Sequence, residues 1–484
     1  MQRSDILYGS ITSVLLIILF IFTSNDPFFG DAISSISRAS NHIYKTSFNE
    51  IHFPVNVDPG HPITIPFIHA FAWSIFGKFL WVSHLVNLIS SALTLILFVT
   101  LAKTKTSGTN AWVGAILLLI TPLFVSQTIN PNLHIWLTLG VVGLVYSIEV
   151  KKTWLQILFS TILVIVHLQG LYFLVPIWLW WFLTKKDVSF KKKSFHIARI
   201  AVIPAVCFVG WILYHHSITG WYISAPNYSG HRGFPGIKRF IVNALIADWR
   251  IVDYGQIALF ILPIWAMVRK RTSLVSSHPF ILFVVIFFFN AVAIAFTTKT
   301  GPMHRYLLPC LPLILLSNVI LFDTVKRWML VLVFIVLLSG HWWFYPGKVM
   351  GDATISYRSV FPLLEQAKKD FDNEPFHTYA PLSNPSTDSK LCCDSNDYIP
   401  LYDTSIDSVK LVLYSNISGD FTISELSQLN KWPSKTYQKG NVYVQLFSNP
   451  SFVKNPIIGP TREISRFEKW FIDLKHKIKG NGPT

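Results

Sequence analysis

Runs of apolar residues about 20 long recur along the first 345 positions, divided by short polar segments. A run of that length, coiled at about 1.5 Å per residue, crosses the roughly 30 Å hydrocarbon layer of a bilayer. The pattern therefore predicts a helical domain that spans a membrane many times. The first run covers residues 6–23. The polar stretch SNDPFF follows it in place of a small-residue cleavage site, so it reads as an uncleaved span that starts in the cytoplasm. Further spans begin near Trp81, Ala111, His134, Trp154, Leu171, Ala198, Tyr254, Pro279, Tyr306 and Met329, about eleven in all. The break between the fifth and sixth falls at residues 167–170. After Tyr345 the hydrophobicity collapses. Helix-like stretches (SVFPLLEQAKKDF, ISELSQLNKW) then alternate with strand-like ones (VKLVLYS, NVYVQLFS). The expected architecture is an all-α polytopic membrane domain over residues 1–346 and a small C-terminal α/β domain over residues 347–484.

Composition sharpens this picture. Hydrophobic residues make up 51% of the 484 positions and charged ones 14%, against about 25% in a soluble domain. That balance excludes a disordered chain and an ordinary cytosolic enzyme. The net charge of +16 would point to nucleic acid in a soluble protein. Here the charge has another reading. With eleven spans, alternation assigns five groups to one side: Lys103 with Lys105; Lys151 with Lys152; Lys185, Lys186 and Lys191 to Lys193; Arg269 to Arg271; Lys326 with Arg327. All are basic, as cytoplasmic loops are. The expectation is an inner or plasma membrane protein with a cytoplasmic N-terminus, an extracytoplasmic C-terminal domain and no nucleic-acid partner. Cys207 and Cys310 lie in apolar runs and Cys392 and Cys393 are adjacent, so no disulfide framework is expected.

The chemistry-bearing residues gather outside. No carboxylate sits mid-span, which argues against an ion- or proton-coupled transporter. The first outer loop, 24–80, carries Asp26, Asp31, Glu50 and Asp58 together with several histidines. Asp31 follows Gly30 and precedes a stretch, 32–44, without Pro or Gly, which predicts a helix at the interface. Asp31 is then either a cap favoured by the helix dipole or a working carboxylate. Asp58-Pro59-Gly60-His61-Pro62 makes a tight turn that holds an acid near a histidine. The segment 63–80, rich in aromatics, predicts an interfacial helix leading into the second span. Outer cations run against the usual bias: His231, Arg232, Lys238, Arg239 and Arg250 face one nearby acid, Asp248, and Lys299, His304 and Arg305 add to them. Phosphate binding or lipid-headgroup contact accounts for such residues. Arg305 stands at the mouth of a span, fixed by Tyr306 and Pro309. Arg38 lies seven residues beyond Asp31, on the same face of the predicted helix.

One apolar span, a GD site opening a small-residue helix, a D-x-G-H-P turn and an aromatic helix with IFGKF follow one another in that order. This series resembles the opening of the membrane-embedded GT-C glycosyltransferases, and among them the protein O-mannosyltransferase and aminoarabinose-lipid A transferase superfamily. Members carry Asp-Glu where this chain has Asp31-Ala32, and H-P-P-L where it has His61-Pro62-Ile63-Thr64. The segment MHRYLLPCLPLILL, 303–316, is similar to the R-Y-L-L-P-x-x-P entry of a late span in the same superfamily. The resemblance covers about the first 345 residues. It implies a transferase that takes a sugar from a polyprenyl-phosphate donor at the bilayer surface and passes it to a glycan, lipid or protein acceptor outside. Asp31 is then the candidate base, with Asp58 as an acceptor-orienting or second carboxylate; both are candidate ligands if a divalent cation (Mg or Mn) takes part. His61, Arg38, Arg232, His304, Arg305 and Tyr306 are candidate contacts to sugar or phosphate. A lipid-linked oligosaccharide polymerase or ligase, and a lipid flippase or transporter, are the rival readings.

Overall fold

The structure is a computed structural model that describes residues 3–54, 58–223, 233–269, 278–299, 301–345, 351–370, 376–378, 398–400, 406–417, 423–453 and 459–460. Each of the eleven predicted runs is helical. In chain order the helices are α1 (Arg3–Thr23), α2 (Arg38–Lys45), α3 (Thr64–Phe76), α4 (Leu80–Lys103), α5 (Gly108–Ile120), α6 (Pro122–Ile129), α7 (Leu133–Glu149), α8 (Thr153–Val166), α9 (Gly170–Thr184) and α10 (Phe190–Thr219). They continue as α11 (Ile237–Val252), α12 (Ala258–Val268), α13 (His278–Thr297), α14 (Leu311–Leu321) and α15 (Arg327–Ser339). Five segments are long and apolar enough to cross alone: Asp5–Thr23, Leu80–Lys103, Phe190–Thr219, Pro279–Thr297 and His304–Leu321. The pair α5 and α6, bent by 68° to one another, is long and apolar enough only when the two are taken together. The bend has a local cause. Pro122 opens α6, and the residue before it, Thr121, is driven to an extended backbone (ψ 125°). The remaining apolar helices are shorter, such as the 14 residues of α8.

Sequence order is not depth order. Within the membrane domain α1 and α10 are the outer staves, with Ile21, Phe22, Val206 and Leu213 turned outward where lipid would be. The segment His304–Leu321 is the opposite case: 89% of its apolar window is buried among neighbours. Ion pairs tie the cytoplasm-facing ends assigned from the sequence. Lys103 Nζ lies 3.1 Å from Asp5, joining the end of α4 to the start of α1. Lys105 pairs with Glu149 at the end of α7. Lys191 to Lys193 are not loop residues but form the first turns of α10. Asp31 follows the far end of α1, so it stands at the other face of the bundle.

After the last apolar helix the chain forms α16 (Val360–Asp370) and α17 (Ile423–Leu429) around a five-stranded sheet. The strands are β1 (Phe376–Thr378), β2 (Tyr398–Pro400), β3 (Leu411–Ser415), β4 (Ser434–Lys439) and β5 (Val442–Ser448), in the order β2-β1-β3-β5-β4. The first three are parallel and the last three antiparallel. The period of two decides which side each residue serves. Leu411, Leu413, Val444 and Leu446 pack with α16, whereas Val412, Tyr414, Tyr443 and Phe447 pack with α17. The α16 face is shared with the membrane domain, because Phe29, Val125 and Ile129 belong to the same cluster. Phe29 stacks on Tyr357 with centroids 4.4 Å apart. Beside that stack Arg358 grips Asp26 with two nitrogens, at 2.5 and 3.0 Å, and donates to the Phe22 carbonyl at 2.6 Å.

Candidate functional site

Three segments far apart in sequence meet at the end of the bundle where α1 finishes. The first is the chain leaving α1. Gly30 takes φ 55°, a left-handed value that glycine adopts without strain. It turns the chain so that a helix begins at Asp31. Ala32, Ile33 and Ile36 are buried in the main core and leave Asp31 pointing out, its side chain 62% exposed. The hydroxyls of Ser34 and Ser35 donate to the Asp31 carbonyl at 3.2 and 2.6 Å. The next turn, Ile33–Ser37, is a π-helix ahead of α2, and such wide turns recur at functional sites. Nothing in the residue pattern announces it. It also breaks the simple spacing that set Arg38 on the face of Asp31. The carboxylate of Asp31 meets Arg305.

The second segment is the 3-10 turn His304–Cys310, which carries Arg305 into the bundle with its side chain 9% exposed. Its Nη2 donates to Asp31 Oδ2, and its Nη1 lies 3.6 Å from Asp352 Oδ2. The guanidinium carbon stands 5.2 Å from the centre of the Tyr306 ring. His304 is buried between two carboxylates, with Nε2 2.8 Å from Asp253 and Nδ1 3.7 Å from Asp352. Arg250 Nη1 lies 3.1 and 3.2 Å from the two ring nitrogens. Tyr345 donates to Asp253 Oδ2 at 2.6 Å and itself accepts from Trp249 at 2.6 Å.

The third segment supplies Asp352, beyond the last apolar helix. Gly351 brings it close: a Cβ there would stand 2.4 Å from the Phe29 ring. The carbonyl of Asp352 accepts from Gln127 Nε2 at 2.9 Å. Burial alone would raise the Asp352 carboxyl. The hydrogen bond and charge of His304, with Arg305 and Arg250, outweigh it and hold the group well below the usual carboxylate range. Asp253 is likewise held low against its burial by His304, Tyr345 and the Tyr254 amide. Asp31, Asp253 and Asp352 thus face Arg250 and Arg305, with the His304 ring set between Asp253 and Asp352. Asp253 and Asp352 had no place among the candidates read from the sequence, and Arg250 stood there only as one of the outer cations.

Asp58 and His61 stand in a second network. Asp58 is fully buried. Its Oδ1 accepts from the Gly60 amide at 2.8 Å, and its Oδ2 from His215 at 2.7 Å and Trp221 at 2.8 Å. The turn is thereby clamped to the end of α10. A divalent cation at the two candidate carboxylates would have to displace Arg305 from Asp31 and three donors from Asp58. The hydrogen bonds of His215 and Trp221, against the pull of burial, hold the Asp58 carboxyl low. A carboxyl lowered on folding contributes stability that is complete above the ordinary carboxylate range and is lost as pH falls through the folded value. Asp58→Asn is therefore expected to cost about 3–5 kcal/mol near neutrality, the usual effect of breaking a buried pair. The difference in Tm from the unmutated protein should shrink below about pH 4. A Tm unchanged at pH 7 would remove the clamp.

Ring contacts join the two networks. His61 lies 4.0 Å from His167, His167 5.4 Å from His134, and His134 5.3 Å from Tyr306, centroid to centroid. The break at residues 167–170 is part of this arrangement. Gly170 lets α9 turn back against α8, since a Cβ would stand 1.8 Å from the Leu163 carbonyl oxygen. Gln169 then donates to the Tyr306 carbonyl at 2.8 Å and to Asn290 at 3.1 Å. Arg232 lies outside the described residues, as does His231.

No protein-family profile matches the chain, and no curated protein matches it in sequence. Solved structures do. ArnT from Cupriavidus metallidurans bound to undecaprenyl phosphate superposes with a TM-score of 0.53 at 12% identity, over 91% of this chain and 97% of that one. The apo state of the same protein superposes with a TM-score of 0.53 at 12% identity, over 94% and 99%. The chain has the fold of these structures, an apolar helical bundle with a small C-terminal sheet domain, and it is the aminoarabinose-lipid A transferase fold that the sequence resembles.

Proposed function

We propose that the chain is a glycosyltransferase of the GT-C class that moves a sugar from a polyprenyl-phosphate donor to an acceptor outside the cytoplasm. The observation that carries this reading is the pairing of Asp31, exposed at the outer face, with Arg305, buried at the head of the most enclosed span. Support also comes from the fold, because a structure that shares it holds undecaprenyl phosphate. A lipid-tailed donor needs its phosphate where hydrocarbon ends, and cations there meet that need.

The chemistry follows from the charges. A donor phosphate entering the cluster competes with Asp31 for the fork of Arg305, with His304 and Arg250 behind it. The carboxylate it displaces is free to accept the proton of the acceptor hydroxyl. The acceptor oxygen bonds to the anomeric carbon as the bond from that carbon to the phosphate oxygen breaks, with inversion. The proton stays on Asp31 and polyprenyl phosphate leaves. Negative charge on the departing oxygen is met by guanidinium, so no general acid is required at that side.

The purified protein, given undecaprenyl-phosphate sugars and a range of glycan, lipid and protein acceptors, should release undecaprenyl phosphate in step with glycosylated acceptor. Oligomer growth without a separate acceptor would favour a polymerase, and lipid movement without turnover a flippase. The same reading places the C-terminal domain outside the cytoplasm. A reporter active only in the periplasm should work when fused after Thr484, and a silent fusion there would reverse the topology.

A further inference from the structure

We propose that His42, Glu50 and His52 form a binding site for a zinc-type divalent cation at the end of α2, apart from the Asp31–Arg305 cluster. One ligand atom from each of the three lies within 4.8 Å of the others. Their separations match a metal's needs. His42 Nε2 is 3.0 Å, and His52 Nε2 3.6 Å, from Glu50 Oε2. Ligands on a tetrahedral zinc at about 2.0–2.1 Å stand about 3.4 Å apart, between those two values.

The backbone is built to bring these side chains together. His42 lies on the last turn of α2. Ser47 and Phe48 then take φ 50° and 65°, left-handed values that L-residues adopt only at a cost, and reverse the chain. Hydrogen bonds from Ser47 N to Tyr44 O (3.2 Å) and Phe48 N to Ile43 O (3.0 Å) hold the reversal. The ring of Phe48 packs edge-on against Phe67. Strain in two successive residues is retained where it positions something.

The imidazoles are also prepared. His52 Nδ1 is 2.7 Å from the Phe53 carbonyl, a contact that turns Nε2 toward Glu50. His42 Nε2 is enclosed and close to the carboxylate, yet lacks the geometry of a hydrogen bond. Two imidazoles and one carboxylate select zinc-like ions over magnesium or calcium. Glu50 is exposed, so water completes the coordination. The ion would staple the outer loop to α2, and the Ile51 carbonyl, 3.3 Å from the Tyr214 hydroxyl, would extend that hold to α10.

The test uses full-length protein in detergent, stripped with a chelator and titrated with Zn(II) against a chromogenic competitor. The unmutated protein should hold one equivalent more than His42→Ala/His52→Ala. Glu50→Gln and His52→Ala should each weaken that equivalent by at least about 10–100-fold, since losing a ligand costs no less than losing an outer partner. Co(II) should give a tetrahedral absorption spectrum that the double variant lacks. Independently of any substitution, Zn(II) should protect His42 and His52 from diethyl pyrocarbonate, read peptide by peptide. Equal metal content in the unmutated protein and the double variant, or equal modification with and without Zn(II), would leave an imidazole–carboxylate ion pair only and overturn the proposal.

Discussion

Asp31→Asn is expected to lower sugar transfer by about 10²–10⁴-fold, the range a positioned base contributes. The amide keeps the shape of the side chain and still accepts a hydrogen bond from Arg305. What it loses is the capacity to take a proton from the acceptor hydroxyl. The fold should be indifferent to the exchange, because the Asp31 side chain is 62% exposed and the helix behind it is anchored by Ala32, Ile33 and Ile36. The expected signature is thus a large fall in turnover with normal Tm and undiminished donor binding. Asp58→Asn supplies the contrast, since its first effect should be on stability. Near-normal turnover in Asp31→Asn would end the assignment of Asp31 as the base. If turnover died in Asp58→Asn while Tm held, the role would pass to Asp58.

Arg305→Ala should remove about 10²–10³-fold from the catalytic rate, comparable to deleting one donor at a developing oxyanion. Two effects combine in it. The departing phosphate loses the guanidinium that meets its growing charge, and Asp352, with its side chain 14% exposed, loses a cationic neighbour. Arg305→Lys separates them. A lysine restores a positive charge near Asp352 but is a point donor that cannot hold two oxygens in one plane. It should recover the Tm and only part of the rate. Affinity for undecaprenyl phosphate should weaken in Arg305→Ala, while affinity for the acceptor stays almost unchanged. Unchanged affinity for undecaprenyl phosphate, or a loss confined to the acceptor, would leave Arg305 as an anchor for Asp352 alone.

Much of this was legible in the amino-acid sequence, for reasons that are local. An apolar run needs no partner to announce a helix, which is why each of the eleven runs is helical, though five described segments are long and apolar enough to cross alone. The strands that alternate or are wholly apolar, VKLVLYS and NVYVQLFS, were equally plain, whereas SKTYQK at β4 reads as loop because its outward residues are polar. Asp31 and Arg305 drew notice from what flanks them, Gly30 on one side and Tyr306 and Pro309 on the other. Asp352 and Asp253 drew none. Each sits in an ordinary polar stretch, and its meaning comes from His304, 48 and 51 positions away. His134 and His167 had no visible role for the same reason. A histidine at the start of one helix and another in a break between two become neighbours only when α7 and α8 pack.

The clasp between Asp26 and Arg358 bears on the order in which the molecule matures. Asp26 and Asp31 leave the ribosome some 320 residues before Arg358 and Asp352 do. At about 5–20 residues per second, that interval lasts roughly 16–64 seconds. Throughout it the bundle can insert helix by helix while Asp26 has no guanidinium, and Arg305, once made, lacks one of its two acids for the last 47 residues. The last segment to emerge is therefore the one that closes the site. A nascent chain arrested before Gly351 would hold its spans in the membrane but leave the cluster open and unfinished. Competence for donor would then arrive late and in a single event, when the C-terminal domain docks on Phe29.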